Sequence, residues 1–156
     1  MTFAGIIDAA SSQVFNVKVG EVVFGGQDFA AHFKHGGTMA EYVVSPADFV
    51  VPKPDNVSLQ DAAGLAAMGC TVVQFIELSK IKNGDKVLIT AASGALGTLL
   101  VQSCKSVVGS SGRIVATCSG PNMDMVHKLG ADEARPSTRI GPHRVLSGIE
   151  GFDEIT

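Results

Sequence analysis

The stretch from Lys86 to Gln102 limits what this chain can fold into more than any other. It reads as a short buried strand over Val87–Thr90, a tight turn of small residues over Ala91–Ala95, and a helix beginning near Leu96. A strand that turns sharply into a helix leaves the first backbone N–H groups of the helix without acceptors. Together with the positive end of the helix dipole, those groups make a site for a phosphate or pyrophosphate. The turn carries Gly94-x-x-Gly97, with Ala91 three positions before the first glycine. Gly94 lets an anion approach the main chain, and Gly97 lets the helix pack closely on the strand. The same spacing also occurs at plain structural corners, and at this point both readings stand.

The segments that follow give the turn a context. Gly109–Gly112 is a turn, Arg113–Cys118 a second strand, and Asn122–Leu129 a further helix closed by Gly130 at its C′ position. Residues 84–130 therefore spell β-α-β-α with short connections, which predicts a parallel sheet with right-handed crossovers. Ligands of such sheets bind beyond the carboxyl ends of the strands, so 90–97 and 117–122 face one crevice. At the end of a second strand, an acid selects the ribose hydroxyl of NAD. Here Cys118-Ser-Gly-Pro-Asn122 contains none. Ser119 and Asn122 can donate hydrogen bonds to a 2′-phosphate, which favours NADP; equally, they can serve as turn and cap residues around Gly-Pro.

Upstream of residue 55 the chain has a different character. Strand candidates are Ala4–Ala10, Gly20–Gly25, Met39–Ser45 and Phe49–Pro52, with a long glycine-bounded loop over Gly25–Gly37. Short strands with glycine turns suggest part of an antiparallel barrel. Pro52 and Pro54 close this part, and Ser58 is a helix N-cap, with Asp61 in place of the longer acid of a capping box. Two helices then follow, Ser58–Ala67 and Gly69–Lys80, the second with Val72, Phe75, Ile76 and Leu78 as a core-packing stripe. The expected domains are 1–54 and 55–156.

Composition narrows the function classes. The 156 residues suffice for one ordinary domain or parts of two; they are 46% hydrophobic and 17% charged, with 18 glycines, so the chain can bury a core. A formal net charge of -3 and the absence of a basic run argue against nucleic-acid binding. Charged or polar residues interrupt every apolar stretch before membrane-spanning length, and Met1–Asp8 lacks the basic start of a secretory signal. Cys70, Cys104 and Cys118 read as buried reduced thiols of an intracellular protein, expected in the cytoplasm with a mitochondrial location left open. No Cys/His spacing fits a structural zinc site, and His32, His35, His127 and His143 read as loop or surface residues.

Segments spread over residues 3–132 carry a resemblance. They are Phe3–Ile7, Val19–Gly25, Gly36–Tyr42, Lys53-Pro54, Ala62-Ala63 with Gly69–Thr71, Val87–Ile89 with Ala92–Gly97, Ala116–Ser119 and Leu129–Asp132. In this order they resemble the medium-chain dehydrogenase/reductase superfamily, in its zinc-free quinone oxidoreductase and enoyl reductase branch. The resemblance implies an α/β chain: a partial GroES-like β domain, then the first half of a Rossmann parallel sheet. It implies NADP(H) rather than NAD(H), no zinc, and hydride transfer to the activated C=C of a small enone, quinone or enoyl thioester. It also implies that full-length relatives form homo-oligomers. It sets Thr71 near the nicotinamide end, Ser93, Gly94, Ala95, Leu96 and Gly97 against the pyrophosphate, and Ser119 near the 2′-phosphate. No general acid follows from it, because the nicotinamide carries the chemistry and the protein positions it.

The departures are equally specific. The family's strands before Phe3 and its second mononucleotide half have no counterpart in the sequence. Glu133–His143 replaces the expected third strand, and Gly151–Ile155 only weakly resembles the next. Gly120-Pro121 stands where a basic residue is usual, Ala91 where glycine is frequent, and Cys70 where zinc-dependent relatives place a ligand, without their upstream His. The alternative to a reductase is therefore a truncated, catalytically incompetent relative or a gene-model fragment.

Overall fold

A computed structural model describes residues 1–137. The chain divides into two compact units, Met1–Cys70 and the residues from Thr71 on, and the division falls inside a helix. The weak resemblance of Gly151–Ile155 to the strand after the third, and the reading of His143 as a loop or surface residue, lie outside the described residues.

The first unit is an antiparallel sheet of order β1-β2-β3, with β1 at Thr2–Ile6, β2 at Val22–Gly26 and β3 at Val50–Pro52. Its small core is Val17, Val23 and Val50, backed by Phe3, Ile7 and Val14. Two expectations fail here. The Gly25–Gly37 loop holds a helix, α1 at Phe29–His35, because the Asp28 carboxylate accepts the Ala31 N–H at 2.7 Å and caps it. His32 and His35 are accordingly helical rather than loop residues, and His32 is half-buried with its Nδ1 away from solvent. Met39–Ser45 forms no strand. Side chains anchor it instead: Gln27 Nε2 donates to the Val44 carbonyl at 2.9 Å, and Ser45 Oγ to that of Gly26 at 2.7 Å. With no sheet face to cover, Met39 and Tyr42 remain exposed.

Helix α2 runs unbroken over Leu59–Ser79, where two helices were expected. Gly64 and Gly69 cost it some propensity, but neither breaks it, and no proline interrupts it. Ser58 Oγ accepts the Asp61 N–H at 3.1 Å and donates to the Asp61 carboxylate at 2.6 Å, so hydroxyl and acid bond each other instead of closing a reciprocal box. At 21 residues α2 is, by length and composition alone, long and apolar enough to cross a membrane, a length the two-helix reading missed. The expected stripe also splits. Val72 is buried and Ile76 packs on the second unit's core, whereas Phe75 and Leu78 are 51% and 82% exposed. Cys70 is likewise exposed and mid-helix, not a buried thiol at a helix start.

The second unit is the parallel half-sheet that the sequence spells. Its strands are β4 at Lys86–Ile89, β5 at Arg113–Cys118 and β6 at Glu133–Pro136, in the order β4-β5-β6. Helices α3 (Ala95–Val108) and α4 (Met123–Lys128) make the crossovers. Ile89, Ile114, Ala116, Cys118 and Ala134 meet Val101, Cys104, Val108 and Val126 in one buried cluster. Burial pushes the Cys104 and Cys118 thiols up, which keeps them protonated and unreactive.

Strand β6 is a further departure from expectation: a strand forms at the start of Glu133–His143, the segment expected to replace one. Only Ala134 needs the core, while charges organise the rest. Glu133 accepts from Arg113 at 2.7 Å and from Arg135 Nε, and these hydrogen bonds, Arg135's first, hold its carboxyl below the ordinary value. Partial burial works against the charge on Asp132, but bonds from Lys105 Nζ at 2.7 Å and the Ile114 N–H at 2.8 Å outweigh it and hold that carboxyl low as well. A depressed folded-state pKa contributes stability above the unfolded value of ~4 and loses it as pH falls through the folded value. Urea midpoints should therefore fall as pH drops from about 5 towards 3. Glu133→Gln and Asp132→Asn should each flatten that dependence; an unchanged pH profile in both variants would show that the carboxylates do not hold β6.

Candidate dinucleotide-phosphate site

The turn from β4 into α3 is built around one close approach. A Cβ on Gly97 would lie 2.3 Å from the Ala91 carbonyl oxygen and 2.7 Å from the Ala92 Cα, so only glycine lets the first turn of α3 seat on the strand end. Ala91 pays for the sharpness of the bend with φ +52, a left-handed conformation costing a non-glycine residue ~1–2 kcal/mol. That explains why glycine suits this position. Ala92 is fully buried, and its N–H donates to the Thr117 carbonyl at 2.8 Å, tying the turn to the end of β5.

Gly94 is the N-cap of α3 and brings no side chain to the cap. The Thr98 N–H is the first to find its helical acceptor, the Gly94 carbonyl at 2.9 Å. The N–H groups of Ala95, Leu96 and Gly97 precede any intrahelical acceptor, at the positive end of a 14-residue helix with no acid in its first turn. Ser93, Gly94, Ala95 and Leu96 are all accessible to some degree, with Gly97 buried beneath them. Three aligned donors, an accessible glycine and no competing carboxylate fit a phosphate or pyrophosphate group.

The parallel register of β4 and β5 sets this turn beside the loop after Cys118. There Asn122 Nδ2 donates to Ser119 Oγ at 2.8 Å and the Asn122 N–H to the Ser119 carbonyl at 2.9 Å. The two residues thus serve as turn partners in a 3-10 turn over Gly120–Asn122, with the Ser119 hydroxyl proton still available to a ligand. Thr71 is half-buried in the middle of α2, not at a helix start. His127 lies on α4, its Nδ1 3.1 Å from the Ala131 carbonyl. Among the described residues, no three His, Cys, Asp or Glu side chains converge to hold a metal ion. Ala92 and Thr117 act through backbone atoms, so residue type does not reveal their roles; the run of small residues around Ala91 is the one available signal.

Comparison with known proteins places this geometry. No family model matches the chain. A trans-enoyl reductase of Aspergillus terreus is 33% identical over 161 residues, taking in 99% of this chain and 44% of its own length. An NADPH-dependent alkenal/one oxidoreductase of Arabidopsis thaliana, named as chloroplastic, is 30% identical over 138 residues, 87% of this chain and 36% of its own. The quinone oxidoreductase structure of Coxiella burnetii superposes with a TM-score of 0.76 at 31% identity, covering 92% of this chain and 42% of that one. The chain thus spans less than half the length of each of these proteins. With matching segments, fold and turn, the chain belongs to the medium-chain dehydrogenase/reductase superfamily, among its quinone and enoyl reductases.

Proposed function

We propose that this chain carries the pyrophosphate-binding half of an NADP(H)-dependent reductase acting on an activated C=C, in an enone, quinone or enoyl thioester. The observation that carries the reading is the uncapped start of α3, where Gly94 and Gly97 leave three backbone donors open above the end of β4. The names of the relatives support the reaction class, and the Arabidopsis relative's name supports NADPH over NADH. Bound NADPH supplies the hydride. The residues of this chain then have positional work: Ser93–Gly97 hold the pyrophosphate, Ser119 and Asn122 lie toward the 2′-phosphate, and Thr71 lies toward the nicotinamide. We assign no zinc and no general acid.

The second reading is a catalytically incompetent relative, favoured by a parallel sheet of three strands among the described residues. A dinucleotide binds across both mononucleotide halves, so one half fixes phosphates without completing the nicotinamide pocket. The two readings meet in one expectation: the 156-residue chain alone gives no detectable enone-dependent NADPH oxidation. Clear turnover by the purified chain would show that one half suffices.

The two glycines separate binding from folding. Gly94→Asp puts a carboxylate at the helix start and should weaken NADPH binding by about tenfold or more, with little loss of stability. Equal titration curves for Gly94→Asp and wild type would overturn the pyrophosphate assignment. Gly97→Ala drives a methyl into the Ala91 carbonyl and should lower unfolding stability by ~1–3 kcal/mol in urea. An unchanged midpoint would show that the helix start is not seated on the strand.

A further inference from the structure

The chain holds four asparagines, Asn16, Asn56, Asn83 and Asn122, and of these only Asn83 is followed by glycine. Asparagine before glycine is the pair most open to deamidation, because no side chain hinders the following nitrogen and the glycine backbone turns freely. That nitrogen gives its proton to a base in solution and attacks the asparagine Cγ. The bond from Cγ to the side-chain nitrogen then breaks, and ammonia leaves. Water opens the resulting five-membered succinimide at either carbonyl, giving aspartate, or isoaspartate with one extra methylene in the main chain.

Asn83 is exposed to water, yet the turn that carries it is set against this reaction. The Asp85 N–H donates to the Lys82 carbonyl at 3.2 Å, Gly84 has φ +88, and Asn83 lies outside the left-handed region. These mark a type II turn, whose first central residue has ψ of about +120°. Ring closure on an L-asparagine needs ψ of the opposite sign, so the turn has to open first. The attacking nitrogen is also occupied, because the Gly84 N–H donates to the Val108 carbonyl at 2.9 Å. The side chain is held as well: Ser111 Oγ donates to Asn83 Oδ1 at 2.9 Å. A Cβ on Gly109 would stand 2.5 Å from Asn83 Nδ2, so the amide is laid over that glycine. The Arg113 N–H, on the Asp85 carbonyl at 3.1 Å, ties the turn to the start of β5.

We propose that Asn83 is a latent modification site, deamidated through a succinimide with Gly84 only when the Lys82–Asp85 turn opens. The Val108 carbonyl and the Ser111 hydroxyl are the groups that hold it closed. An aspartate product leaves the main chain able to close again. An isoaspartate product adds a methylene immediately before Gly84, so the bond to Val108 at the entry to β4 cannot form in its old register. Modified chains therefore record past openings at the start of the parallel sheet. No residue of the phosphate site takes part, so the modification stands or falls apart from the proposed function.

Peptide mapping of the full 156-residue chain, held in mildly alkaline buffer, reads the reaction as the mass gained when ammonia is exchanged for water. In urea above the unfolding midpoint, Asn83 should deamidate about tenfold or more faster than in the folded chain. Below the midpoint, its rate should rise with urea in step with the amide exchange of Gly84. Ser111→Ala should speed the folded-state reaction by about threefold or more, the worth of one exposed hydrogen bond, and leave the unfolded-state rate unchanged. Ser111 is exposed, and circular dichroism checks that the variant keeps its fold. Asn83→Gln should abolish the signal in both states, because its longer side chain would have to close a six-membered ring. The proposal is overturned if folded and unfolded chains react equally fast, or if the unfolded chain leaves Asn83 intact. It is also overturned if the folded-state rate is indifferent to Gly84 exchange, a comparison made on the wild-type chain and independent of any variant. An unchanged folded-state rate in Ser111→Ala would overturn the part given to Ser111.

Discussion

The contact between Gly97 and the Ala91–Ala92 backbone is the constraint from which the second unit follows. A helix that starts within van der Waals contact of the preceding strand end has no room for a side chain at the point of closest approach. Seating α3 there sets the direction of its axis over the sheet and leaves its first N–H groups pointing past the end of β4. The same seating forces Ala91 into a left-handed conformation and buries Ala92, whose N–H then reaches across to Thr117. One small-residue turn thereby joins the end of β4, the start of α3 and the end of β5. The donors that suit a phosphate are a consequence of packing, with no side chain dedicated to it.

The parts legible in the sequence are those whose pattern is enforced locally. β5 is an apolar run between Gly112 and Ser119, and it occupies the residues its composition marks. Gly130 ends the α4 segment with φ +116, with the Lys105 side chain packed above it. The start of α3 falls one residue before the expected Leu96. The parts that were misread depend on partners distant in sequence. Glu133-Ala-Arg-Pro136 is short and has no β-branched or aromatic residue, and it pairs with β5 where Arg113, 20 residues earlier, supplies the countercharge to Glu133. Met39–Ser45 meets no sheet edge, so its Val44 carbonyl accepts from the Gln27 side chain and its Ser45 hydroxyl donates to the Gly26 carbonyl instead. Asp28 was read as one residue of a glycine-bounded loop, although an acid three residues before a free N–H is an N-cap signal.

The site residues divide along the same line. Ser93–Gly97 are defined by backbone geometry over five consecutive residues, so spacing alone locates them. Ser119 and Asn122 are polar residues in a Gly-Pro turn, and the turn claims them first: each supplies the other's hydrogen bond. Binding a 2′-phosphate there would draw on the donors left after that bond, the Ser119 hydroxyl and the remaining Asn122 N–H. Two neutral donors attract a phosphate dianion far less than a guanidinium or ammonium does, so a preference for NADP over NAD at this loop would rest on the lack of a repelling acid more than on attraction.

A pyrophosphate turn can be complete while the pocket it serves is not, because the two are assembled on different length scales. The turn needs one strand, one helix and two glycines, all within a dozen residues. The pocket needs strands on both sides of β4, since the dinucleotide lies across the point where strand order reverses. Gly94 and Gly97 meet the first requirement, and among the described residues β4 pairs with β5 on one side. Family membership is therefore written in the turn, whereas a nicotinamide pocket depends on strands beyond it.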